Sequence, residues 1–93
     1  MLERARGFLA RGHVLLDGGD IASARLFFQR AAEAGLWDGA LAMGTTYDPA
    51  ELARRRTVGL RPDLVEARRW YERARDLGGG ATAERHLARL TAP

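Results

Sequence analysis

The chain has 93 residues, 46% of them hydrophobic but only 8% aromatic, so a single domain with a modest core is the expected scale. Its 15 basic residues, every one an arginine, face 12 acidic ones for a net charge of +3, too small an excess to demand a polyanionic partner. The absence of cysteine excludes a disulfide framework and a thiolate metal site. Apolar runs of a few residues exclude a membrane-spanning helix.

Alanine is the commonest residue, and no β-branched stretch alternates with polar positions, so helices are expected throughout. Met1-Leu2-Glu3-Arg4 opens directly into an amphipathic pattern, with no long apolar core and no small-residue cleavage site, so a signal peptide is not expected in this stretch. The first helix is predicted over Leu2 to Leu16, with Leu2, Ala5, Phe8, Leu9, Gly12, Leu15 and Leu16 inward. Asp17-Gly18-Gly19 breaks it, and Asp20 caps a second helix over Ile21 to Ala34, closed by Gly35. Trp37 to Tyr47 reads as a third helix, apolar on most sides. Asp48-Pro49-Ala50-Glu51 is then a fresh start signal, with a capping Asp, Pro at the first helical position and Glu at the third. The short helix it opens should run from Pro49 to about Arg56, before Gly59.

The longest signal comes next. Asp63 and Glu66 form a capping box, Leu64, Ala67, Trp70, Tyr71, Ala74 and Leu77 make an apolar stripe, and Gly78 sits where a left-handed end residue is wanted. Gly79-Gly80 separates a last helix, about Ala81 to Leu90, whose inner face is Ala83, Leu87 and Leu90. Sliding the chain by 43 residues lays Asp20, Ala24, Arg25, Phe27 and Phe28 on Asp63, Ala67, Arg68, Trp70 and Tyr71. The same shift lays Arg30, Ala31, Gly35 and Ala40 on Arg73, Ala74, Gly78 and Ala83. Shared helical composition does not explain an ordered set of this kind; a repeated helical pair does, each leaving an apolar face for the next.

These spacings resemble the tetratricopeptide pattern. In the first pair Phe8, Gly12, Leu15, Ala24, Phe28 and Ala31 fall at its positions, and in the second Gly44, Tyr47, Ala67, Tyr71 and Ala74 do. From Gly19 onward the chain is more closely similar to the Sel-like repeats, through Ala40, Met43-Gly44, Tyr47, Gly59-Leu60, Asp63, Ala67, Trp70-Tyr71, Ala74 and Gly78. Arg75 departs from the family's usual second alanine, and Asp48 to Val58 is an insertion. The resemblance implies an all-α fold of stacked antiparallel helical hairpins, an α-solenoid fragment of about five main helices plus a short inserted one. One domain, 1–93, would then divide into a first hairpin (1–36), a second (37–78) carrying the inserted loop 48–60, and a terminal helix with its tail (79–93). It also implies a scaffold without catalysis or cofactor, bacterial in source, in the cytoplasm or periplasm, and part of a larger envelope or regulatory protein.

From the family register, first helices line a concave groove, faced by Arg6, Leu9, His13, Asp38, Leu41, Thr45, Asp48 and Glu84. Such a shallow, mixed-charge surface suits a peptide or partner helix. The other candidate is the basic cluster Arg54, Arg55, Arg56 and Arg61, whose functional reading is contact with nucleic acid or another anionic surface. Its plainer reading is a solvated face paired with Glu51, Glu66 and Glu72, since no aromatic residue interleaves. His13 and His86 are on different helices, without ligand-spaced partners, so no metal or catalytic site is expected. Trp70 and Tyr71, at helical spacing beside alanines, are expected in the core, and Trp37 is expected over the seam between hairpins. Poorly covered end faces make self-association through Leu2–Leu16 or the last helix a further expectation.

Overall fold

Each helix begins and ends where local chemistry dictates. The computed structural model describes residues 2–92; Met1 and Pro93, the ends of the expected domain, lie outside the described residues. Helix α1 (Leu2–Asp17) stops at a turn in which the Asp20 amide donates to the Leu15 carbonyl at 2.9 Å. Helix α2 (Ile21–Glu33) starts on the Asp20 carboxylate, which accepts from the Ser23 amide at 3.2 Å. Left-handed Gly35 ends it, and the Leu36 amide returns to the Ala31 carbonyl at 3.1 Å.

Helix α3 (Trp37–Thr45) is shorter than the sequence pattern suggests. The Thr46 carbonyl is taken by the Arg25 guanidinium at 2.7 Å, and Asp48, preceding a proline, is held extended. Helix α4 (Pro49–Arg54) is capped by Asp48, which accepts from the Ala50 amide at 3.0 Å. Helix α5 (Leu64–Ala74) begins on Asp63, whose carboxylate accepts from the Glu66 amide at 3.1 Å. Only half of the expected capping box forms. The Asp63 amide donates instead to the Tyr47 carbonyl at 2.9 Å, and Glu66 turns to Arg69. That backbone bond also brings the two ends of the inserted segment together. A wide turn, Arg75–Gly79, breaks at left-handed Gly78, and α6 (Gly80–Thr91) follows.

The described residues are helical, without strands. Helix α1 packs on α2, α2 on α3, α3 on α5, and α5 on α6. One core cluster joins Leu16, Ile21, Ala24 and Phe28 to Ala42 and Met43, with Leu60 of the inserted segment packed against it. A second joins Ala32 and Ala40 to Ala74 and Ala83, and a third holds Ala5, Ala31 and Leu36. Ala24, Phe28, Ala31 and Ala40 are fully buried, and so are Ala67, Tyr71, Ala74 and Ala83, their counterparts 43 residues on. Gly12 faces the Phe28 ring and Gly44 the Tyr71 ring so closely that a methyl group at either would lie inside van der Waals contact. Each ring can thus approach the partner helix's backbone closely, and full burial of one contributes about 1.5–3 kcal/mol. Two expected core positions are exposed: Leu2 (65%) and Leu64 (52%) open their helices, where no neighbouring turn covers them.

Candidate functional site

The residues expected to line a groove lie on α1, α3 and α6 and in the turn after α3. Arg6 on α1 donates from Nη1 to the Asp38 carboxylate on α3 at 3.2 Å, so the two helices present these positions to one surface. Leu9 and Leu41, one turn further on each helix, are half-buried: they pack on the core clusters and leave part of their side chains in solvent. His13 is exposed, with its ring edge-on to Phe28 at 4.9 Å between centroids. Thr45 is half-buried, and its hydroxyl donates back to the Ala42 carbonyl at 2.6 Å. Glu84 lies exposed on α6.

Asp48 does not belong to this surface. It is 1% exposed, and its Oδ2 accepts from the Tyr71 hydroxyl and from Arg89 Nη2, each at 2.7 Å. With the Ala50 amide on Oδ1, the carboxylate ties the start of α4 to α5 and α6 at once. Burial by itself would raise its pKa, but the phenol, the guanidinium and the amide together outweigh that and hold it below the ordinary 3.8. Tyr71 responds in the other sense: burial first, and then the adjacent carboxylate, push its phenol far above 10.0. Arg89 also approaches Glu51 at 3.6 Å, and Glu51 in turn pairs with Arg54 at 2.7 Å. A proline-preceding Asp signals a cap, but nothing local announces partners 23 and 41 residues away.

The arginine cluster is divided. Arg54 is held by Glu51, and Arg55 reaches Asp17 at 3.6 Å, while Arg56 and Arg61 are exposed and make no ion pair among the described residues. Glu66 pairs with Arg69 rather than with the cluster, and Glu72 makes no ion pair among the described residues, so of the three carboxylates expected there only Glu51 takes part. Arg25, conspicuous in sequence only as a repeated position, clamps the end of α3: Nε donates to the Thr46 hydroxyl at 2.9 Å, and the guanidinium lies 3.9 Å above the Tyr47 ring.

Trp37 is half-buried against Gly79, and Trp70 is half-buried while Tyr71 is enclosed. His86 packs on the Tyr71 ring at 4.9 Å, with Nδ1 2.9 Å from the Thr82 carbonyl. Among the described residues no three His, Cys, Asp or Glu side chains converge as a metal site, and no helix is long and apolar enough to cross a membrane. A cleft of about 240 Å³ lies on the outer side of α2 and α5, lined by Glu33, Glu66, Arg69, Trp70 and Arg73. Comparison with protein-family models, with curated protein sequences and with solved structures returned no match to this chain.

Proposed function

We propose that this chain is a non-catalytic protein-interaction module, built as two helical hairpins and a closing helix stacked in the manner of tetratricopeptide and Sel-like repeats. Its groove takes a peptide or partner helix along the first helices of successive pairs. The observation that carries the reading is the Arg6–Asp38 contact between α1 and α3. It joins two positions that the repeat register treats as equivalent, and the same 32-residue step relates Leu9 to Leu41 and His13 to Thr45. The matched burial of Phe28 and Tyr71, each against a glycine of the helix it packs on (α1 and α3), supports the same register. Half-buried leucines flanked by exposed Arg6 and His13 and half-buried Asp38 and Thr45 suit an amphipathic segment laid in a shallow groove.

The test is capture of a partner by the full chain, followed by competition between variants. Thr45→Arg and Asp38→Arg should abolish capture, whereas Arg54→Ala with Arg61→Ala should leave it unchanged. Added salt should weaken binding only modestly, since few charges are neutralised. Loss of capture on removing the arginines, with the groove variants unaffected, would transfer the function to an anionic surface and end this reading.

A further inference from the structure

The turn between α1 and α2 faces the inserted segment across a cleft of about 480 Å³. Leu16 and Ile21 form its apolar floor, and Val58, 93% exposed, stands at its edge. Arg55 and Arg56 form the rim, opposed by the single carboxylate of Asp17, which Arg55 meets only at 3.6 Å.

Arg56 sits there at a backbone cost. The end of α4 is a Schellman turn, with the Thr57 amide donating to the Leu52 carbonyl at 3.1 Å and the Arg56 amide to the Ala53 carbonyl at 3.0 Å. The left-handed position of that turn, φ 55°, is occupied by Arg56, while every other left-handed residue described in this chain is a glycine. A side chain in that region is disfavoured by sterics, and glycine would relieve it. An exposed arginine without an ion pair, held where glycine is the stable choice, points to a role for its guanidinium.

We propose that this cleft binds an acidic peptide segment. One apolar side chain of the segment rests on Leu16, Ile21 and Val58, and its flanking carboxylates pair with Arg55 and Arg56. The charge is complementary, since two guanidiniums outweigh one loosely held carboxylate, and the apolar floor selects a side chain rather than a phosphodiester. Nucleic acid fits less well, because no aromatic residue lines the cleft for base stacking. This surface shares no residue with the groove proposed above and does not depend on it.

The test starts with random peptides displayed on phage, panned against the full chain and counter-selected on the Arg55→Glu, Arg56→Glu double variant. The expected enrichment is of acidic residues on both sides of Leu, Ile, Val or Phe. A synthetic peptide of the enriched sequence should bind Arg56→Gly about tenfold more weakly than wild type. The same variant should melt at a higher temperature, because the left-handed strain is gone. A merely structural arginine would not separate those two readouts. The proposal is overturned by no enrichment, by neutral or basic sequences, by binding that ignores Arg56→Gly, by a lowered melting temperature, or by displacement of the peptide by oligothymidylate at lower concentration.

Discussion

Gly12 and Gly44 show how one missing methyl group sets a helix–helix distance. Both face an aromatic ring at a range no Cβ tolerates, so either substitution must move a ring or a helix. The two rings differ in freedom. Phe28 is held by packing alone, whereas Tyr71 is also held through its hydroxyl by buried Asp48. Gly44→Ala is therefore expected to cost about 2–3 kcal/mol and Gly12→Ala about 1–2 kcal/mol, read from urea unfolding midpoints. Equal costs would mean that the hydrogen bond does not anchor the ring.

Helix α4 is short and α6 is terminal, and each has a single buried residue, Leu52 and Ala83. A polar tie common to both is the Asp48 carboxylate, which collects Tyr71, Arg89 and the Ala50 amide. Because the folded protein holds this carboxyl below its unfolded value near 3.8, the resulting stability is fully present above that pH and is lost as pH falls through the lower, folded value. Asp48→Asn removes the charge that Arg89 and Tyr71 share, and should cost about 2–4 kcal/mol at pH 7. The gap between variant and wild type should narrow steadily below about pH 4, in denaturation curves taken at a series of pH values. A constant gap would show that Asp48 titrates alike in both states.

On the scale of the molecule, burial is concentrated at the middle of the chain of contacts. Helix α3 lies between α2 and α5, and Gly39, Ala40, Ala42, Met43 and Gly44 are all buried. The flanks are looser: α1 buries only Ala5, Gly12 and Leu16, and residues 53–56 are exposed. Native-state hydrogen exchange should accordingly be slowest for amides in the second half of α3 and the facing turns of α5, and fastest at the start of α1 and beyond Arg54. Uniform protection from end to end would contradict this concentration of burial at α3.

The helices themselves were legible because they rest on short-range chemistry. Asp20 and Asp63 are caps, Gly35 and Gly78 are left-handed ends, and the small–aromatic–small spacing of α2 and α5 does bury Phe28 and Tyr71. Of the expected groove, Arg6 and Asp38 meet, whereas Asp48 has gone inside. A capping Asp looks the same in sequence whether solvent or an arginine 41 residues later takes its second oxygen. The short helix of the inserted segment was legible from its Asp48-Pro49 start, but not how the segment packs: its Leu60 lies on the first core cluster, and its ends are joined by a bond from Asp63 to Tyr47. Periodicity and capping are properties of neighbours along the chain, so the residues alone determine the helices and which face of each is apolar. Which buried carboxylate meets which distant donor, and which arginine is left free at a cleft, depends on how those faces close on one another, and only the tertiary structure decides it.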